Sequence, residues 1–83
     1  MFARKNQPAH AELLWNVEKQ ISQRTLGQVH NLQIEARDNR VVVRGCTPSY
    51  FVKQLAIHAA LEVLELKQAP LELDMQLRVL SRD

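Results

Sequence analysis

Glycine is nearly absent: Gly27 and Gly45 are the only two in 83 residues. That excludes a glycine-rich phosphate cradle, and it excludes the GXXG loop by which a KH module approaches an RNA backbone. The single cysteine, Cys46, cannot form an internal disulfide or a paired-cysteine zinc site, and it points to a reducing compartment. Aromatic residues are sparse, with one tryptophan, one tyrosine and two phenylalanines. Gln33, Glu35 and Arg37 stand where a base-stacking sheet would carry rings. Neither charge sign dominates, with 11 basic and 9 acidic residues mixed along the chain and a net charge of +2. Nucleic acid is therefore not expected as a partner. The opening "MFARKNQPAH" holds no long apolar run, so no signal peptide or membrane span is expected. The expected location is cytoplasmic, with peripheral membrane attachment left open.

What is present fits one domain. Hydrophobic residues make up 46% of the chain, and a chain of this size buries roughly 60–70% of its unfolded surface. Residues 1–8 read as a tail and 9–81 as the domain. "PAHAELLWNVEKQISQRT" reads as a helix with an apolar stripe of His10, Leu14, Val17 and Ile21. Pro8 suits its first turn, Asn6 or Gln7 its cap, and Gly27 a left-handed end. "LQIEARD" alternates as a strand, and Asp38-Asn39 tolerate the positive φ of a tight hairpin. A two-residue loop sets Ala36 opposite Val41 and Ile34 opposite Val43, with Glu35, Arg37, Arg40 and Arg44 on the other face.

In "RVVVRGCTPSYFVKQLA", Gly45 permits a tight exit from the second strand, Thr47 reads as the helix N-cap and Pro48 as the first helical residue. "PSYFVKQLAIHAALEVLELK" is the second helix, bounded by Pro70. "LELDMQLRVL" alternates most cleanly and closes the chain as a strand. The predicted fold is α+β: a two-layer αββαβ sandwich with a three-stranded sheet and both helices on its apolar face. The crossover through the second helix joins parallel strands and is expected to be right-handed.

With that order in place the chain resembles a BON domain, the bacterial module named for osmotic-shock periplasmic and nodulation proteins. "VVVRGCTPSYFVKQLA" supplies the strand ending at Gly45, the helix start and Lys53, and "LELKQAPLELDMQLRV" matches the link and last strand. The likeness spans roughly residues 10–80. It departs from the family pattern at Asp38-Asn39-Arg40, where the hairpin often holds glycine, at Glu65-Leu66, where Gly-Val is common, and at Leu71, which replaces an asparagine. The resemblance implies attachment to membranes, phospholipids or protein partners, and no catalysis.

The residues themselves agree that no catalytic group, metal or cofactor is expected. Cys46 lacks a nearby base in sequence and reads as a small residue at a corner. The helix start with Thr47 and Ser49 lacks the glycines of a phosphate loop. His58 and Glu62 share a helix face, but two ligands make no metal site. The mixed-sign sheet face is by default solvated, with Arg37, Arg40 and Arg44 as weak candidates for anionic headgroups.

The second helix carries the informative anomaly. Phe51, Val52, Leu55, Ala59 and Val63 form an expected core stripe, yet Tyr50, Ile57, Leu61 and Leu64 recur nearly opposite to it. Ala56 and Ala60 lie on a flank where the first helix can approach. Trp15 falls roughly 140° from the first helix's stripe by the same geometry. Either tilted helices bury the second stripe, or Trp15, Tyr50, Lys53, Ile57, Leu61 and Leu64 form a contact surface for a second copy, another protein or a lipid wedge. Lys53 flanks this stripe, but so do Gln54 and Glu65, which favours protein over lipid.

Overall fold

In a computed structural model of the chain, residues 8–80 are described, apart from the side chains of Pro8 and Ala9. The elements run α1 (Pro8–Arg24), β1 (His30–Arg37), β2 (Arg40–Thr47), α2 (Tyr50–Leu66) and β3 (Glu72–Val79). The tail at 1–7, the cap candidates Asn6 and Gln7, and residue 81 lie outside the described residues. The architecture is the expected α+β sandwich: three strands in the order β1-β2-β3, with both helices packed against the sheet.

The hairpin forms as its residues dictate. Asp38 and Asn39 take φ of 50° and 65°, the two positive values that a type I′ turn requires. The register follows, with Ala36 opposite Val41 and Ile34 opposite Val43. β3 runs parallel to β2 in unbroken register from Arg40↔Glu72 to Thr47↔Val79, so the connection through α2 is a crossover.

Val41, Val43 and Leu77 are buried beneath the helices, with Ile34, Leu73 and Met75 half-buried around them. The α1 contribution is Leu13, Val17 and Ile21: Val17 and Ile21 are the expected residues, while Leu13 is buried in place of Leu14, which lies half-buried with His10 at the margin. On α2 the fully buried Ala56, Ala59 and Ala60 present little bulk, which allows the close α1–α2 packing.

Gly27 is left-handed as expected (φ 73°) and donates to the Ser22 carbonyl at 2.8 Å, and Leu26 before it is left-handed too (φ 56°), at the C′ place of a Schellman ending. Two local expectations are corrected. Helix α2 starts two residues later than expected. Ser49 is its N-cap, accepting from the Val52 amide at 3.2 Å, while Thr47 is buried at the end of β2. Phe51 is not in the core but 69% exposed, because the later start and the three alanines turn the buried face toward Val52, Ala56, Val63 and Leu64.

Candidate functional site

The topology brings five chain segments to one end of the domain: the turn after α1, the start of β1, the end of β2, the start of α2 and the end of β3. The pairs His30↔Cys46 and Thr47↔Val79 lie there, and the Leu80 amide donates to the Thr47 carbonyl at 2.8 Å. Thr47 ties the corner together. Its Oγ1 donates to the Ser49 carbonyl at 3.1 Å and lies 3.4 Å from that of Arg78. With that hydroxyl satisfied in the interior and Ser49 capping α2, the first two helical residues are carried outward.

Those residues are Tyr50 and Phe51, 64% and 69% exposed. Leu80 and Leu26 are exposed on neighbouring segments, and Pro48 lies between β2 and α2, also in solvent. Residues 25–31, 46–54 and 77–80 contain no aspartate or glutamate, and their cationic side chains are Lys53 and Arg78. The start of α2 adds the positive end of its dipole. The segments that meet at this end thus carry exposed apolar side chains and two cations.

The residues singled out from the second stripe do not stay together. Leu64 is 7% exposed and belongs to the core, so its expected place on the contact surface is overturned. The packing that turned Phe51 out turned Leu64 in. Leu61 is 41% exposed, with Ile57 and Lys53 half-buried near it. Trp15 is exposed on α1, and the Lys19 ammonium sits 4.8 Å from its ring centroid. Asn16, Gln20 and Gln23, not Trp15, line the groove facing Val63 and Leu66 of α2. Trp15 therefore stands apart from Ile57 and Leu61.

Arg37, Arg40 and Arg44, the headgroup candidates of the open sheet face, are engaged within the domain. Arg44 and Arg37 reach Glu35 at 3.5 and 3.9 Å, and Arg40 reaches Asp74 at 3.7 Å. Glu35 and Asp74 flank Val42 in the register, and Val42 is only 3% exposed although it belongs to this charged face. The aliphatic stems of the paired side chains cover it. Such exposed pairs contribute little stability individually, and their geometry leaves these arginines shared with carboxylates.

Among the described residues no cluster of three or more His, Cys, Asp or Glu side chains could hold a metal ion, and the remaining candidates are Cys46 and the His58–Glu62 edge. Cys46 is half-buried on the open face beside His30 and Arg78 in the register. Glu62 forms an ion pair with Arg24 of α1, which turns the carboxylate of the His58–Glu62 edge toward α1. A shallow concavity of about 260 Å³ lies at the opposite end, between His10, Leu13 and Asn16 of α1 and the link at Lys67–Leu71.

The apolar end was missed in the sequence because Phe51 fits the core periodicity as well as Val52 does, and because Leu26 and Leu80 lie outside the periodic segments. The available signal was the run 46–54, which lacks acidic residues while carrying Tyr50, Phe51 and Lys53. Comparison of the chain with protein-family models, curated proteins and solved structures finds no match in any of the three.

Proposed function

We propose that the domain is a non-catalytic binding module, BON-like in its element order, that attaches to an anionic phospholipid surface through the end bearing Tyr50 and Phe51. The observation that carries this reading is the pairing of exposed apolar side chains with Lys53 and Arg78 on segments without an acidic residue. Interfacial anchors use this combination: apolar side chains enter the boundary between headgroups and acyl chains, and flanking cations meet the phosphates. Burying an aromatic or leucine side chain is worth about 1.5–3 kcal/mol, and a cation near an anionic surface about 1 kcal/mol. Two or three such side chains sustain reversible attachment once the entropy of association is subtracted. No helix among the described residues is long and apolar enough to cross a membrane, so this attachment would be peripheral.

The test is flotation with vesicles of phosphatidylcholine alone and with added phosphatidylglycerol. The expected result is binding to the anionic vesicles, loss in a Tyr50→Ser/Phe51→Ser variant whose circular dichroism is unchanged, and weakening in Lys53→Glu and Arg78→Glu. Absence of binding to either vesicle, or binding indifferent to these four residues, would overturn the assignment.

A further inference from the structure

β3 is an edge strand with one side bound to β2. The Glu72 amide donates to the Asn39 carbonyl at 3.1 Å and the Leu80 amide to that of Thr47 at 2.8 Å. In a parallel ladder alternate residues turn their backbone groups to the neighbouring strand. Residues 72, 74, 76, 78 and 80 therefore face β2, and Leu73, Met75, Leu77 and Val79 aim their amides and carbonyls out of the sheet. Edges are commonly blunted by bulges, proline, charged side chains or very short length. β1 carries a register shift between His30 and Gln33 with Asn31 at φ 57°. β3 has no bulge, proline or glycine over eight residues in continuous register, and its charges, Glu72, Asp74 and Arg78, are of mixed sign.

The strand "ELDMQLR" complements itself when read antiparallel about Met75. Glu72 then meets Arg78, Leu73 meets Leu77, Asp74 meets Gln76, and Met75 meets itself. From this we infer that two copies of the chain pair through β3, antiparallel and two-fold about Met75, into one six-stranded sheet. The backbone parity agrees, because Leu73, Met75 and Leu77 supply the outward groups for the hydrogen-bonded pairs. Glu72 and Arg78 of the second copy fall in a non-hydrogen-bonded pair, where side chains approach most closely.

Neighbouring registers fit less well. Centring on Asp74 opposes two carboxylates. Centring on Gln76 would pair Asp74 with Arg78, but Asp74 is already held by Arg40 at 3.7 Å and accepts from Gln76 at 3.0 Å. Among the described residues neither Glu72 nor Arg78 takes part in an ion pair. Above the edge, the flank of α2 opposite the Arg24–Glu62 contact carries Ile57 and Leu61. Strand pairing brings this flank toward its copy and covers apolar area that the monomer leaves in water.

The experiment is sedimentation equilibrium across a concentration series, with circular dichroism as the check on folding. Wild type should dimerise. Glu72→Arg or Arg78→Glu should each raise the dissociation constant about tenfold or more, since two attractive cross-strand pairs become repulsive. The double variant, which exchanges the charges, should recover wild-type affinity. Under mild oxidation in a Cys46→Ser background, Met75→Cys should give a disulfide-linked dimer, because Cα atoms of a hydrogen-bonded pair lie about 5.5 Å apart, within disulfide reach. A wild-type chain that remains monomeric at the highest concentration overturns the inference. Failure of the double variant to recover, or cross-linking through Gln76→Cys and not Met75→Cys, overturns the register.

Discussion

Gly45 passes so close to His30 that a Cβ built on it would stand 3.0 Å from the His30 carbonyl oxygen and 3.0 Å from Cγ1 of Val29. The crowding has a cause in the sheet. β1 slips its register between His30 and Gln33, and its first residue folds over the end of β2. Gly45→Ala should therefore destabilise the domain by about 1–3 kcal/mol through overpacking against backbone that cannot swing aside. A urea melt reads this as a lower midpoint, and an unshifted midpoint would mean that β1 does not close over Gly45.

Both helices end in Schellman turns that place a left-handed non-glycine residue at C′, Leu26 after α1 and Gln68 after α2. At the end of α2, Gln68 sits at φ 51° while the Ala69 amide donates to the Leu64 carbonyl at 3.0 Å. A side chain in that conformation costs about 1–2 kcal/mol, partly offset by the lower chain entropy that a non-glycine residue brings to the unfolded state. Gln68→Gly should stabilise by roughly 0.5–1 kcal/mol, since the Gln68 side chain is exposed and makes no core contact. Thermal melting checks it, and a lower midpoint would contradict the assigned turn.

The start of α2 gives a third test, since it distinguishes Ser49 from Thr47 as the cap. Ser49→Ala removes the acceptor of the Val52 amide and should cost about 0.5–2 kcal/mol. Ser49→Asp should retain most of the stability, because aspartate caps as well as serine and suits the helix dipole. Equal loss in both variants would point to some role for the Ser49 hydroxyl other than capping.

The strand register and layer order were legible because they rest on strict alternation and on a two-residue turn whose residues accept positive φ. Ala36, Ile34, Val41 and Val43 fell into place for that reason. Val42 did not. Its parity puts it on the charged face, and only the ion pairs of Glu35 and Asp74 with their arginines explain its burial. The capping of α2 was misjudged because Thr47 and Ser49 are both chemically able to cap, and the choice is made by the reach of β2 into its ladder with β3. The apolar end depends on which helix face the three alanines select, a tertiary outcome that a helical wheel with two apolar sides leaves undecided.

That selection makes Leu64 and Leu61 a matched pair for the last test. They stand three residues apart on α2, yet Leu64 is 7% exposed within the core and Leu61 is 41% exposed. Leu64→Ala should cost about 2–5 kcal/mol, because the cavity forms among Val63, Ala60 and the sheet, with little freedom to collapse. Leu61→Ala, measured at a concentration where the chain is monomeric, should change stability by about 0.5 kcal/mol or less, as for other surface sites. The same substitution should weaken dimerisation if the α2 flanks meet above the paired β3 edges. A large stability loss at Leu61 with little at Leu64 would mean that α2 turns nearly its opposite face to the sheet, a roll of about half a turn at 100° per residue. The Phe51 side chain would then return to the interior, and the lipid-facing end would lose its principal anchor.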